Sequence, residues 1–194
     1  MKVIFLDFDG VINSHEWYQT RMDRVDMEEI RAQYPFYELD PELIENLNFI
    51  ISETGAKVVI SSSWRTGRSV EILQDILDKV GFKGEVIDKT VHLGSSKNYG
   101  YSIPRGCEID HWLLSKGFYR NYISKEKQTK QLEKSEIKNY VILDDSADML
   151  LQQKEHFVNT SWKGGLTMDL ARKAVRILNS TPEDLYFQNH FILM

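Results

Sequence analysis

Cysteine is nearly missing from this 194-residue chain, in which Cys107 stands alone. A lone cysteine cannot form an intramolecular disulfide, which agrees with a reducing compartment. The chain also lacks a long apolar run of the kind that crosses a bilayer. At the N-terminus, Asp7 and Asp9 interrupt the apolar residues before the core of a signal peptide could form. We therefore expect a soluble, cytoplasmic protein without a membrane partner.

Excess positive charge is missing as well, since 24 Lys and Arg stand against 29 Asp and Glu, for a formal net charge of −5. This balance argues against nonspecific coating of nucleic acid, although a local basic patch could still bind phosphate. The histidines show no metal-ligand spacing, and the sequence contains no internal repeat and no low-complexity linker. The length suits one α/β domain with modest insertions.

Apolar runs that predict strands alternate with segments that have the apolar spacing of helices. The predicted strands are Lys2 to Phe8, Lys57 to Ile60 and Tyr140 to Leu143. The predicted helices extend from Asp40 to Gly55, from Ser69 to Val80 and from Arg105 to Lys116, each with a glycine at or just after its end. This alternation predicts an α/β fold, with a Rossmann-like parallel sheet and right-handed crossovers.

The predicted domain organisation is a single domain over residues 1–179 with small insertions at about 11–39, 84–104 and 118–139. None of these insertions is long enough to form a large separate domain. Residues 180–194 form a C-terminal tail, within which Glu183 to Gln188 resembles a common protease-cleavage tag. Whether this tail is native or added is left open.

Paired acidic residues follow two of the predicted strands. Asp7 and Asp9 come where the first strand runs into a turn, and Asp144 and Asp145 end another strand. The carboxyl ends of parallel strands meet at one edge of the sheet, so these carboxylates would repel one another unless a cation neutralised them. Hard oxygen ligands without cysteine or clustered histidine favour Mg²⁺. The alternative for Asp7 and Asp9 alone is a pair of turn-forming acids.

Anion donors follow the second strand and open a later helix. Ser61, Ser62 and Ser63 supply hydroxyl and backbone N–H groups, and Arg65 adds a guanidinium. The charge of Arg105 is poorly matched to the dipole at a helix start, but it is well placed for a phosphate there. A serine-rich turn and a solvent-exposed arginine are the alternatives.

Taken together, these residues resemble the four ordered motifs of the haloacid dehalogenase-like phosphohydrolases. The matching positions are Asp7 to Gly10, the serines after Ile60, Arg105, and Val141 to Asp145. A finer pattern resembles a subgroup of small domains from bacterial proteins, some of which are associated with RNA repair. That pattern consists of Ser62 to Arg65, Arg105 with Glu108, Ile109, Trp112 and Leu113, and Gly165 to Thr167.

The resemblance implies a phosphatase that works in two steps. Asp7 would attack phosphorus and form an aspartyl-phosphate, and Asp9 would protonate the leaving alcohol and then activate water. Ser62 would contact the phosphoryl group, with Ser61 and Ser63 as neighbours that could replace it, and Arg105 would offset the developing charge. Mg²⁺ would be held by Asp7, the Asp9 carbonyl, Asp144 and Asp145.

The same resemblance predicts a small or absent cap over the site, and therefore an open site. The expected substrate is a phosphate monoester on a small molecule, a nucleotide or a nucleic-acid end. The alternative from another class is a catalytically silent phosphate-binding or protein-interaction module on the same fold. Retention of Asp7, Asp9, a motif serine, Arg105 and the acidic pair favours the enzyme.

Overall fold

A parallel β-sheet forms the centre of the computed structural model, which describes residues 1–22, 36–94, 103–118 and 135–180. The strands are β1 (Lys2–Leu6), β2 (Lys57–Ile60), β3 (Val86–Lys89), β4 (Asn139–Asp144) and β5 (Phe157–Asn159). Their order across the sheet is β3-β2-β1-β4-β5, and every neighbouring pair is parallel. The helices are α1 (His15–Met22), α2 (Pro41–Thr54), α3 (Val70–Asp78), α4 (Arg105–Ser115) and α5 (Met168–Asn179). The predicted α/β class is confirmed.

Apolar side chains cover both faces of the sheet, as expected for parallel strands. On one face, Ile4 and Leu6 of β1 belong to a buried cluster with residues of α2, α3 and α5. On the other face, Val3 and Phe5 pack in a second cluster with Ile109, Trp112 and Leu113 of α4. Strand β1 is thus buried in the middle of the fold, and the residue after it, Asp7, lies at the centre of the carboxyl edge.

The predicted helix boundaries follow from local capping chemistry. Asp40 accepts a hydrogen bond from the Glu42 N–H at 2.9 Å and caps α2, which ends at Gly55 with φ of 62°. Ser69 caps α3 in the same way, through the Ile72 N–H. These side chains satisfy N–H groups that have no partner within the helix. None of the helices in the described part of the chain has both the length and the apolar character that a membrane crossing requires.

Two edge strands, β3 and β5, differ from the sequence-based expectation. Strand β3 lies inside the predicted insertion at 84–104, so that stretch is not wholly an insertion: its Val86–Lys89 part belongs to the sheet. Both strands are short, and β3 carries Asp88 and Lys89 where a buried strand would carry apolar residues. Residues 23–35, 95–102, 119–134 and 181–194 lie outside the described ranges. The predictions of insertions and a tail there stay predictions.

Candidate active site

Three of the predicted carboxylates converge at the carboxyl edge of β1 and β4. Asp7 follows β1, and its N–H donates to the Leu143 carbonyl at 3.0 Å, which fixes it beside the end of β4. Asp144 and Asp145 follow Leu143 directly. One carboxylate oxygen from each of the three residues lies within 4.8 Å of the other two. The parallel register therefore brings together acidic residues that are far apart in sequence.

Glycine is required at position 10 because the turn after β1 packs directly against Asp145. Gly10 has φ of +69°, and a Cβ there would lie 2.4 Å from Asp145 Oδ2. The Gly10 carbonyl accepts a hydrogen bond from Thr160 Oγ1 at 2.8 Å, and Asn159 Nδ2 donates to the Asp145 carbonyl at 3.0 Å. These contacts join the first turn to the ends of β4 and β5, so that Asp7 and Asp145 are held on one framework.

The carboxylate cluster has the electrostatics of a cation site. Asp144 Oδ2 is buried and accepts no hydrogen bond from the residues that the structure describes. Burial, with a further contribution from the charge of Asp7, raises the pKa of Asp144 to about 7. Burial is also the main cause that raises the pKa of Asp7 and of Asp145. Without a cation these acids are therefore disfavoured in their charged form, and their hard oxygens fit Mg²⁺.

Arg105 brings a positive charge to the same cluster from the first turn of α4. Its Nη2 lies 3.7 Å from Asp7 Oδ2, and its Nε lies 3.9 Å from Asp144 Oδ2. Its Nη1 is buried and has no acceptor among the described residues. A buried guanidinium N–H without a partner costs free energy, and an anion at this position would satisfy it.

The start of α4 is fixed by the loop that follows the acidic pair. The Arg105 N–H donates to Asp148 Oδ2 at 2.9 Å, which caps a helix whose own preceding residue, Pro104, cannot do so. A Cβ at Gly106 would lie 2.5 Å from the Leu150 nitrogen, so only glycine permits this close approach. Arg105 is thus placed by the same loop that begins at Asp144.

The three serines after β2 have different environments. Ser62 is fully buried, and its Oγ accepts hydrogen bonds from the Trp64 N–H at 3.3 Å and from the Phe8 N–H at 3.4 Å. Its hydroxyl also opposes the effect of burial, which raises the pKa of Asp7. Ser61 Oγ is buried without a partner among the described residues. Ser63 is exposed, with its Oγ 3.5 Å from Asp9 Oδ2. Of the three, Ser62 is the hydroxyl placed directly beside Asp7.

Asp9 is exposed, and two side chains that were not predicted to belong to the site orient its carboxylate. Asn13 Nδ2 donates to Asp9 Oδ1 at 2.8 Å, and Trp64 Nε1 donates to the same oxygen at 3.3 Å. The indole also packs against Phe8, with ring centroids 4.9 Å apart. The sequence signal that could have identified Asn13 is its place four residues after Asp9, in the turn that contains Gly10. Its side-chain oxygen also accepts from the Gly10 N–H.

Arg65 is not the free anion donor that the sequence suggested. Its guanidinium is buried and donates to the backbone carbonyls of Ser62, Thr90 and Val91 and to the carboxylate of Glu108. Glu108 belongs to the finer motif, but its pairing with Arg65 was not predicted. A carboxylate on the buried face of α4 is a signal of a charged partner. All of the described hydrogen bonds of Arg65 go to other groups of the protein, so its guanidinium is already used within the fold.

The raised carboxyl pKa values predict that metal-free protein becomes less stable as the pH rises. Burial raises the pKa of Asp144 to about 7 in the folded state, whereas the pKa of an unfolded Asp is about 3.9. The folded state therefore binds more protons between these pH values. The contribution of Asp144 to the free energy of unfolding is fully present below the pKa of the unfolded state and is lost as the pH rises through 7. We expect a loss of a few kcal/mol of unfolding free energy between pH 5 and about pH 8 in chelator, measured by denaturant titration. Asp144→Asn should flatten this dependence, and identical slopes in the two proteins would contradict the assignment.

Fold and site together define a haloacid dehalogenase-like phosphohydrolase domain. The chain matches the model of the family described as HAD domain in Swiss Army Knife RNA repair proteins over residues 3–171, and it belongs to that family. The matched range contains Asp7, Asp9, Ser62, Arg105 and the acidic pair at 144–145. The resemblance predicted from the motifs is therefore confirmed. No curated protein and no solved structure matches the chain.

Proposed function

We propose that this chain is a Mg²⁺-dependent phosphatase that hydrolyses phosphate monoesters through an aspartyl-phosphate on Asp7. The observation that carries this proposal is a pair of buried atoms beside the Asp7 carboxylate, Asp144 Oδ2 and Arg105 Nη1, which have no hydrogen-bond partner among the described residues. The carboxylate oxygen of Asp144 would be stabilised by a cation, and the guanidinium nitrogen of Arg105 would be stabilised by an anion. A metal ion together with a phosphate group would satisfy both.

The carboxylates of Asp7, Asp144 and Asp145, with the backbone carbonyl of Asp9, are the groups that would hold Mg²⁺. Three of these four are side chains whose oxygens already lie within 4.8 Å of one another. When bound, the ion supplies positive charge that relieves the repulsion among the acids and stabilises negative charge on a phosphate.

The proposed reaction assigns separate tasks to Asp7 and Asp9. A carboxylate oxygen of Asp7 attacks phosphorus, the bond from phosphorus to the ester oxygen breaks, and Asp9 gives its proton to that oxygen. In the second step Asp9 takes a proton from water as the water oxygen attacks phosphorus. The bond between phosphorus and Asp7 then breaks, which releases inorganic phosphate and restores both acids.

Ser62 and Arg105 are the proposed donors to the phosphoryl oxygens, and Ser63 is a further candidate at the more exposed side. The support for Ser62 is its burial beside Asp7, and the support for Arg105 is an Nη1 that has no partner in the described part of the chain. Asn13 and Trp64 would hold the Asp9 carboxylate in place through the two hydrogen bonds to Oδ1. Donors such as Ser62 and Arg105 that are already fixed in place stabilise negative charge on the phosphoryl group without reorganising during the reaction.

Aromatic side chains near the β1 turn favour a substrate with a planar group, such as a nucleotide or a nucleic-acid end. His15 follows that turn, and its ring lies 4.7 Å from the ring of Trp162, which is 61% exposed. The His15 N–H donates to the Trp162 carbonyl at 2.9 Å, so the two residues form a fixed pair. Exposed aromatic rings stack on bases without sequence preference. The family description, which names RNA repair proteins, also favours this substrate class.

Phosphate release from a panel of esters tests the proposal. The panel contains p-nitrophenyl phosphate, nucleotides, sugar phosphates, phosphopeptides and oligonucleotides with 3′- or 5′-phosphate, each assayed with Mg²⁺ and with excess chelator. We expect turnover that disappears on chelation. Undiminished hydrolysis in chelator would contradict the metal assignment, whereas phosphate binding without release from any ester would favour the catalytically silent module.

The Mg²⁺ requirement should depend on the acidic pair at the end of β4. We expect Asp145→Asn to raise the Mg²⁺ concentration for half-maximal activity by about 10-fold or more, because it removes one of the proposed charged ligands. Asp144→Asn should act in the same direction. Asp169→Asn, on the exposed first turn of α5, is the matched control and should leave the Mg²⁺ dependence unchanged. An unaltered Mg²⁺ titration in both site variants would remove these residues from the metal site.

A further inference from the structure

A buried ion pair joins the loop after β2 to helix α4. Arg65 follows β2, Glu108 lies in α4, and their side chains are only 4% and 5% exposed. Nη2 of Arg65 donates to Oε2 of Glu108. The pair therefore connects two parts of the chain that are separated by 43 residues.

Both partners also hydrogen-bond to backbone atoms, and His92 Nδ1 lies 3.5 Å from Glu108 Oε1. Arg65 Nη1 donates to the Ser62 carbonyl, and its Nε donates to the Thr90 carbonyl at 3.1 Å. Glu108 Oε1 accepts from the Leu93 N–H at 2.9 Å. The pair thus holds three backbone segments: the serine turn, the loop after β3, and α4.

The ion pair connects the two segments that contain the proposed phosphate donors, Ser62 and Arg105. Arg65 is bonded to the carbonyl of Ser62 itself. Glu108 lies three residues after Arg105 in α4, so both belong to the first turns of one rigid helix. A shift of the ion pair would therefore change the separation between the Ser62 hydroxyl and the Arg105 guanidinium.

Stability alone is a weak reason for such a pair. Taking two charges out of water is unfavourable, and buried ion pairs are often replaced by apolar residues without loss of stability. The planar guanidinium offers a fixed fork of donors, which Lys cannot reproduce. Its value here is geometric, because one side chain fixes three carbonyl oxygens and one carboxylate at the same time.

We propose that Arg65 and Glu108 are positioning residues that set the distance between Ser62 and Arg105 and so shape the phosphate site. This inference rests on the proposed function, because it takes Ser62 and Arg105 as the donors to phosphate. Neither Arg65 nor Glu108 contacts the substrate in this arrangement. Their effect acts through the serine turn and α4.

Ligand affinities measured by calorimetry separate positioning from a general structural role. Arg65→Lys keeps the buried charge but loses the fork, and Glu108→Gln keeps the size but loses the charge. We expect either variant to weaken the binding of inorganic phosphate, in the presence of Mg²⁺, by about 10- to 100-fold, with a similar loss in kcat/KM. The affinity for Mg²⁺ alone should change by less than about 3-fold, because the proposed ligands lie at the ends of β1 and β4.

Arg172→Lys is the matched control, since Arg172 is an exposed arginine of α5 and its substitution should change neither affinity. If a single variant does not fold, the double variant Arg65→Gln with Glu108→Gln removes both charges and keeps polar groups at both positions. Folded variants with unchanged phosphate affinity would overturn the inference. A parallel loss of phosphate and Mg²⁺ affinity would also overturn it, by indicating a loosened fold.

The same measurements distinguish failure of this inference from failure of the proposed function. Wild-type protein that binds phosphate but hydrolyses no ester would refute the phosphatase, and the phosphate affinities of the variants would still decide the role of the ion pair. Wild-type protein that does not bind phosphate would refute the roles of Ser62 and Arg105, and the positioning role with them.

Discussion

Replacing Asp7 by asparagine should abolish phosphate release, with a rate reduction of more than about 10⁴-fold. The amide has nearly the shape of the carboxylate but cannot form the acyl-phosphate that the proposed mechanism requires. Its side-chain oxygen can still accept the hydrogen bond from the Phe8 N–H, which is 2.7 Å from Asp7 Oδ1. The measurement is the initial rate on p-nitrophenyl phosphate at saturating Mg²⁺, for a variant shown to be folded.

Stability measurements separate loss of chemistry from loss of fold in this variant. Burial raises the pKa of Asp7, so its charged form is disfavoured in the metal-free protein. An uncharged amide should therefore leave the metal-free protein at least as stable at pH 7.5, while Mg²⁺ should stabilise the variant less than the wild type. Asp75→Asn, on the exposed face of α3, is the control and should retain full activity. A folded Asp7→Asn protein with a rate near that of the wild type would exclude Asp7 as the nucleophile.

The central part of the fold was predictable because its signals are local. Strand β1 is an apolar run that stops at Asp7, and α2 is bounded by Asp40 and Gly55, whose capping roles depend on neighbouring residues alone. Strand β5 gave no such signal, since it has three residues and only Val158 is buried. It is a strand because β4 offers it hydrogen-bonding partners, and that pairing is a tertiary effect.

The same distinction applies to the candidate site. Convergence of Asp7 with Asp144 followed from the rule that parallel strands end at one edge of a sheet. The same rule could not predict which of the three serines lies beside Asp7, because the direction of each side chain in a turn after a strand is not fixed by the sequence pattern. The pairing of Arg65 with Glu108 also could not be derived, since it depends on how α4 packs against the loops after β2 and β3. Sequence pattern thus located the edge of the sheet, and packing decided which donors face it.

The role of Arg105 leads to a second large effect, a loss of turnover that is the same for chemically unrelated substrates. Arg105→Ala removes the guanidinium whose Nη1 is buried without a partner in the described structure. Loss of one fixed, charge-assisted contact costs about 2–4 kcal/mol of transition-state stabilisation, or roughly 30- to 1000-fold in rate. The loss in kcat/KM should be similar for p-nitrophenyl phosphate and for a nucleotide, because Arg105 would contact the phosphoryl group that they share.

The affinity for Mg²⁺ provides a second test of this prediction, because an arginine with only a structural role would not affect it in the way expected for Arg105. Arg105 lies 3.7 Å from Asp7 and 3.9 Å from Asp144, so its charge competes with a cation for the same carboxylates. Its removal should leave Mg²⁺ affinity unchanged or tighter while turnover falls, because the acids then lack another positive neighbour. Arg172→Ala, at an exposed arginine of α5, is the control for both measurements. Equal kinetics in Arg105→Ala and wild type, with thermal melts that confirm folding, would mean that Arg105 does not bind the phosphoryl group.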